Sequence, residues 1–163
     1  MNLWHYCLTR ERAEKLQPAK DVASRSVMLA PFVVGDWCYA TDGVIAVRTP
    51  VKRSRRKSDA PAIPTLTTHP VVEVFGLVPS DTTWKALSPL LSNMLSEDPA
   101  IRLVSLDGPN FSRDQFVRVL ALPQPLRFLT FTVRDFWAAA FRTMGSRTPY
   151  ECVLAATCEV VKS

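Results

Sequence analysis

Two turn dipeptides, close together in the chain, limit how this sequence can fold. Gly35-Asp36 and Asp42-Gly43 each stand between runs of apolar residues. Asp-Gly in such a place favours a tight hairpin, because glycine adopts a positive φ readily and the aspartate side chain bonds to the following backbone. The runs 37–41 and 44–48 are therefore predicted to pair as antiparallel strands, with 26–34 as a third strand of the same meander.

Residue patterns predict alternating strands and helices in the rest of the chain. Apolar and β-branched runs predict strands over 3–8, 71–75, 101–106, 115–122, 127–131 and 150–161. Ser and Thr caps, with apolar residues at helical spacing in the two longer segments, predict helices over 10–17, 81–96 and 132–144. The resulting order, βαβββ, loop, βαβββ and αβ, predicts an α+β fold with antiparallel or mixed sheets and two or three helices. Two βαβββ units packed as one domain would have this order.

A chain of 163 residues fits one domain, predicted here over 1–163. Its hydrophobic fraction of 47% and charged fraction of 21% exclude the class of disordered proteins. The stretch 49–70 differs from the rest, since it is rich in proline and in basic residues. We predict that it is a solvated loop of about 20 residues that divides the domain into two half-units.

The net charge of +5 originates in one short part of that loop. Residues 52–57, called here the basic segment, hold five cations, and the remaining 15 Lys and Arg residues equal the 15 Asp and Glu residues in number. Cations grouped in this way favour contact with phosphates without sequence preference, and a solubilising surface loop is the alternative. No aromatic residue is interleaved, so base stacking by this segment is not expected. The predicted nucleic-acid-binding residues are Lys52, Arg53, Arg55, Arg56 and Lys57.

The sequence contains no recognised catalytic or cofactor motif. Its five glycines stand at turns and at element ends, so a phosphate-cradling loop is not expected. His5, Cys7, Cys152 and Cys158 could surround a zinc ion, but their spacings match no zinc pattern. We therefore predict no cofactor, no metal and no enzymatic activity. An active site assembled from residues far apart in the sequence is the alternative.

The N-terminal residues and the cysteines predict a cytoplasmic location without a membrane partner. No basic leader precedes an apolar stretch, and no apolar run approaches the roughly 20 residues that cross a bilayer. The four cysteines, which lie in apolar segments, are predicted to be reduced thiols packed in a core.

The stretch 38–48, CYATDGVIAVR, resembles the Ala-Thr-Asp-Gly hairpin of DNA polymerase processivity clamps, the sliding clamps of replication. In that family the hairpin follows a βα unit, and one domain consists of two βαβββ units. The stretch 129–137, LTFTVRDFW, is similar to the strand-to-helix entry of a clamp domain. This chain departs from bacterial clamps after Gly43, where it has Val44-Ile45-Ala46 in place of a His-Arg-Leu-like sequence. It also has room for about one domain, so the resemblance implies either a ring formed by several copies or a relative that no longer encircles DNA.

Three functions follow as expectations. The first is a non-enzymatic, DNA-associated accessory protein, clamp-like in fold, that contacts phosphates through the basic segment. The second is a protein-interaction adaptor that binds itself or an acidic partner and does not bind nucleic acid. The third is an enzyme with a dispersed site, which requires a deep pocket lined by polar groups from separate strands.

Overall fold

The structure is a computed structural model that describes residues 2–9, 28–51, 63–80, 83–145 and 148–157. A 3₁₀ helix at Leu3–Tyr6 comes first. The strands of the described part are β1 (Phe32–Val34), β2 (Trp37–Thr41), β3 (Ile45–Pro50), β4 (Lys85–Ala86), β5 (Leu103–Ser105), β6 (Asn110–Ser112), β7 (Leu126–Val133), β8 (Phe136–Thr143) and β9 (Glu151–Ala155). The α-helices of the described part are α1 (Pro70–Gly76), α2 (Leu90–Glu97) and α3 (Arg113–Leu120).

Seven of these strands form one antiparallel sheet in the order β1-β2-β3-β9-β8-β7-β4, and β5 and β6 form a separate hairpin. Because β3 pairs with β9, strands from both sides of the basic segment share one sheet. The sheets are antiparallel and helices pack beside them, so the predicted α+β class is confirmed.

The predicted three-strand meander is confirmed. β2 has the predicted bounds, β1 is shorter than expected, and β3 continues to Pro50. The turns fall at the two predicted dipeptides, where Gly35 has a φ of 60° and Gly43 a φ of 94°. Residues other than glycine rarely adopt these φ values, which explains why glycine stands at both turns.

The large sheet is covered by helices on both sides. On one side, called the α2/α3 face, buried residues of α2, α3 and the β5–β6 hairpin pack against Ile45, Phe141 and Leu154. On the other side, called the α1 face, Val71 and Phe75 of α1 pack against alternate residues of the same strands. The faces alternate residue by residue, as a pleated sheet requires. No helix of the described residues is long and apolar enough to cross a membrane.

Two segments predicted as strands are helices. The run 71–75 lies in α1, where the His69 side chain accepts a hydrogen bond from the backbone N–H of Val71 and Pro70 occupies the first turn. These start signals outweigh the β-branched composition of the run. The run 115–122 lies largely in α3, where Phe116 and Val119 are one turn apart and both fully buried. That spacing is helical, and it outweighs the β propensity of the run.

The helix predicted over 132–144 is wrong, because these residues form the end of β7, a two-residue turn at Arg134-Asp135 and β8. Ala138 to Ala140 have high helix propensity, but β8 lies between β7 and β9 with both faces buried. Burial in a central strand overrides local propensity there. The helix predicted over 81–96 is largely replaced by β4 and α2, because Pro89 would interrupt a longer helix.

The chain ends and the long loop also differ from expectation. Residues 3–6 form the 3₁₀ helix and not a strand, with Asn2 accepting a hydrogen bond from the Trp4 N–H. Thr49 and Pro50 of the predicted loop belong to β3, and Thr65 forms a bridge with Val33. The predicted helix over 10–17 lies outside the described residues, as does part of the predicted strand 150–161, of which Glu151–Ala155 is confirmed. The second βαβββ unit is not formed by the described elements.

Candidate functional site: an arginine row on the α1 face

Four charged residues stand opposite one another across four neighbouring strands. Arg48 of β3 pairs with Glu151 of β9, Glu151 pairs with Arg142 of β8, and Arg142 pairs with Arg127 of β7. Residues in direct register project from the same side of a sheet. We call these four residues the arginine row. It lies on the α1 face and carries three guanidinium groups against one carboxylate.

Arg48 is held by partners within the chain. Its Nε and Nη2 donate to Oε2 of Glu151 at 3.0 and 2.7 Å, and its Nη1 lies 3.5 Å from the Tyr39 hydroxyl. The guanidinium carbon lies 4.0 Å from the centre of the Trp37 ring and 4.5 Å from that of Phe75. Its position is therefore fixed by an ion pair and two aromatic rings.

Arg142 has a different environment. Its guanidinium carbon lies 4.4 Å from the centre of the Trp84 ring. Its Nε is shielded from solvent, and no described residue accepts a hydrogen bond from it or forms an ion pair with Arg142. The register partner Glu151 is bonded to Arg48 instead. The Trp84 ring therefore contacts the guanidinium group, while no described residue accepts a hydrogen bond from it.

A cleft of about 270 Å³ opens beside these side chains, where α1 ends and β3, β9 and β8 run side by side. We call it the arginine cleft. Its wall includes Arg48, Arg142, Glu151, Phe75 and Trp84. Such a cleft combines apolar walls with a few fixed polar groups, as small-ligand sites do.

The basic segment begins next to this site in the chain. Pro50 of β3 pairs with Trp37, and the Val51 N–H donates to the Asp36 carbonyl at 2.9 Å. On the far side of the segment, the Leu66 N–H donates to the Val33 carbonyl at 2.7 Å. Both flanks are thus attached to β1 and its turn. The predicted phosphate-binding residues Lys52, Arg53, Arg55, Arg56 and Lys57 lie outside the described residues.

The Asp42-Gly43 turn has a structural role in this chain. Asp42 Oδ1 accepts hydrogen bonds from the Val44 and Ile45 N–H groups at 2.9 and 3.0 Å, and its Oδ2 accepts one from Nη1 of Arg118 at 2.5 Å. The Asp42 side chain is only 2% exposed. The carboxylate closes the turn and joins the meander to α3.

The same network includes the N-terminal 3₁₀ helix. Arg118 donates to Gln115 Oε1 at 2.8 Å and to the His5 carbonyl at 2.7 Å, and the Tyr6 hydroxyl donates to the Arg118 carbonyl at 2.9 Å. Burial raises the pKa of the Tyr6 hydroxyl, which keeps it a neutral donor. His5 thus contributes its backbone, and not its ring, to this network.

An apolar cavity of about 300 Å³ occupies another part of the α1 face. Its lining includes His69, Val71, Val133 and Phe136, and Phe136 is 44% exposed at its rim. His69 packs against the Phe32 ring, its Nδ1 accepts the Val71 N–H, and its Nε2 has no partner among the described residues. Burial lowers the pKa of His69, so the ring is neutral near pH 7.

The cysteines fill space as predicted where the structure describes them. Cys7, Cys38 and Cys152 are buried free thiols, and Cys158 lies outside the described residues. Burial raises the pKa of Cys7 to about 11 and also raises the pKa values of Cys38 and Cys152, so none of the three is a ready nucleophile. Among the described residues, no three His, Cys, Asp or Glu side chains are grouped to hold a metal.

Sequence reasoning missed the arginine row. Arg127 and Arg142 belong to segments predicted as a strand and a helix, so the predicted elements did not place them side by side. A period-two reading of 136–143 would have been the available signal. No protein-family model, curated protein or solved structure matches the chain.

Proposed function

We propose that this protein is a non-enzymatic, DNA-associated accessory protein that contacts phosphates through the basic segment and the arginine row. The observation that carries the proposal is the position of the row. Three arginines face the same side of the sheet, and the strand that bears Arg48 continues directly into the five cations of the basic segment. Arginines and lysines grouped on one surface are the usual electrostatic footprint of a nucleic-acid-binding protein.

The expected binding is electrostatic and independent of sequence. Each neutralised phosphate releases counterions, so affinity falls steeply with salt. The clamp-like resemblance of the Ala40–Gly43 hairpin supports a role in replication only as a proposal. In that role several clamp-like domains would have to assemble around DNA.

Fluorescence anisotropy with labelled duplex and single-stranded DNA tests the proposal. We expect binding that weakens steeply between about 50 and 200 mM salt. Replacing Lys52, Arg53, Arg55, Arg56 and Lys57 by Ala should lower the slope of log K against log salt by about 4. Equal binding by the wild type and this variant, or no binding of the wild type at low salt, contradicts the proposal.

Arg127 and Arg134 allow a matched comparison between a residue of the row and one outside it. Both are exposed, but Arg127 lies near the start of β7 and Arg134 lies in the turn that follows it, about 23 Å away at the usual rise per residue. Arg127→Ala should weaken DNA binding, whereas Arg134→Ala should leave it unchanged. The reverse result would move the contact surface away from the arginine row.

A second candidate is the protein-interaction adaptor, favoured by the apolar cavity. Phe136 and Val44 line it and are 44% and 40% exposed, which leaves apolar surface available to a partner or a second copy. Sedimentation equilibrium over a wide concentration range tests self-association. A dimer that Phe136→Ser abolishes, together with absent DNA binding, would favour this candidate.

A further inference from the structure

The guanidinium group of Arg142 differs from the other partly buried guanidinium groups of the described residues in having no polar partner among them. Arg48 uses all three of its nitrogens on Glu151 and Tyr39. Arg113 donates to the carbonyls of Leu95, Asp98 and Ile101.

Arg118, in turn, donates to Asp42, Gln115 and the His5 carbonyl. Within the described part of the chain, the group that holds the Arg142 guanidinium is the Trp84 ring, through a stack and not a hydrogen bond. A half-buried cation that receives no acceptor from the described residues is suited to bind an anion from outside.

The surroundings of Arg142 define the kind of anion. The Trp84 ring lies against the Arg142 guanidinium carbon. An anion with several oxygens binds a guanidinium group in its plane, where two N–H groups can meet two oxygens. Arg127 on the neighbouring strand supplies a second, exposed positive charge. On the other side, the Glu151 carboxylate is paired with Arg48, which limits its repulsion of an incoming anion. A group with several oxygens and more than one negative charge fits this arrangement best.

The size of the cleft favours a small ligand. Its volume of about 270 Å³ lies below the usual range for drug-sized molecules. A phosphate within a nucleic-acid backbone carries chain on two sides and needs two exits. A phosphate monoester carries one substituent, can enter with its phosphate first, and has close to two negative charges at neutral pH.

We propose that the arginine cleft is a binding site for a phosphate monoester, with Arg142 as its principal ligand and Trp84 as the group that positions Arg142. The proposal shares the arginine row with the proposed function and does not depend on the basic segment. Two sources supply this chemistry, namely the phosphorylated end of a nucleic-acid strand and a small phosphorylated molecule.

Trp84 offers a direct readout of binding. The protein is labelled with 5-fluorotryptophan at its four tryptophans, and the Trp84 signal in the ¹⁹F spectrum is assigned with Trp84→Phe. Titration with inorganic phosphate, and then with ribose 5-phosphate, should shift the Trp84 signal and reach saturation. Sodium chloride at matched ionic strength should leave the Trp84 signal unshifted. A Trp84 signal that phosphate and ribose 5-phosphate leave unmoved overturns the proposal.

Variants identify the ligand residue. Arg142→Gln should weaken phosphate binding about tenfold or more, because a charge-assisted pair of hydrogen bonds is lost. Arg142→Lys should also weaken phosphate binding, since a lysine ammonium lacks the planar pair of N–H groups that meets two oxygens at once. Arg134→Gln is the control and should bind as the wild type does. Unchanged signals from the other three tryptophans indicate that each variant is folded, and equal binding by a folded Arg142→Gln protein overturns the proposal.

A last comparison separates the two sources and the two proposals. A 5′-phosphorylated oligonucleotide that binds about tenfold more tightly than its 5′-hydroxyl form indicates a strand end. Equal oligonucleotide binding with a saturable ribose 5-phosphate response indicates a small molecule. If the variant without basic-segment cations keeps the Trp84 response and the wild type binds no duplex, the proposed function fails and the cleft stands. If the wild type binds duplex but phosphate and ribose 5-phosphate leave the Trp84 signal unmoved, the cleft fails and the proposed function stands.

Discussion

Arg118 and Arg142 lie against opposite faces of the same sheet, and each is placed near an aromatic ring. The Arg118 guanidinium carbon is 5.6 Å from the centre of the Tyr6 ring, and that of Arg142 is 4.4 Å from the centre of Trp84. Arg118 also donates to the buried carboxylate of Asp42, whereas Arg142 donates to no described residue. Both are cations inside a fold, but of the two only Arg118 is neutralised by a described residue.

This difference separates an arginine that stabilises the fold from one that is available to a ligand. A buried charge is tolerated when it is paired and hydrogen-bonded, and removal of one partner leaves the other uncompensated. The Asp42–Arg118 pair holds the meander, α3 and the 3₁₀ helix together. Arg142 joins no two described elements by hydrogen bonds, so its loss should affect binding and leave stability nearly unchanged.

The largest effect is expected from Asp42→Ala. The substitution removes the partner of Arg118 and the acceptor of the Val44 and Ile45 N–H groups, and should lower the free energy of unfolding by about 3 kcal/mol. Urea unfolding measures it. Asp36→Ala at the neighbouring hairpin is the matched control, because that side chain is exposed, and it should cost under about 0.5 kcal/mol. Similar losses of stability for both variants would contradict the prediction that Asp42 stabilises the fold through Arg118 and the turn.

A smaller effect is expected at the start of α1, which covers the second face. His69→Ala removes the acceptor for the Val71 N–H and should lower the free energy of unfolding by about 1 kcal/mol. His69→Asn keeps an acceptor at this position and should retain most of that stability. Urea unfolding of the three proteins at pH 7 measures both.

The same histidine should make stability depend on pH. Burial holds the folded-state pKa of His69 below its unfolded value of about 6.5, so the unfolded chain binds more protons as pH falls. The contribution of His69 is therefore complete above that value and lost below it. Unfolding measured from pH 8 to pH 5 should show this loss in the wild type and less of it in His69→Asn. An identical pH profile for the two proteins would contradict the assignment.

The Arg48–Glu151 pair should contribute less, because its side chains are 19% and 36% exposed. A double-mutant cycle with Arg48→Gln and Glu151→Gln should give a coupling of about 0.5 kcal/mol that decreases with salt. A coupling of several kcal/mol would show that this pair stabilises the fold as strongly as the Asp42–Arg118 pair does, and would contradict the prediction.

The smallest effect on stability is expected from Arg142→Gln. The substitution removes the contact with Trp84, which lowers stability. It also removes a shielded donor that has no partner among the described residues, which raises stability. We expect the free energy of unfolding to change by less than about 0.5 kcal/mol, measured by urea unfolding beside Arg118→Gln. A large loss would show that Arg142 is structural and would remove the contrast with Arg118.

Local signals predicted the parts of the fold in which sequence and tertiary structure agree. The meander followed from Gly35-Asp36 and Asp42-Gly43, because a tight turn is decided by a few neighbouring residues. The segment 132–144 was predicted wrongly, since alanine-rich sequence favours a helix unless strands cover it on both sides. Arg142 lies in that segment, so the error in secondary structure also concealed the candidate site.

The sequence by itself determined the turns, the α+β class and the basic segment, because each depends on residues close together in the chain. Only the tertiary structure decided that Arg48, Glu151, Arg142 and Arg127 stand in one row, which requires the pairing of strands up to about 100 residues apart. It also decided that Asp42, at its predicted turn, neutralises Arg118. The physical reason is that strand register and burial are properties of the assembled sheet, and no single segment of the chain encodes them.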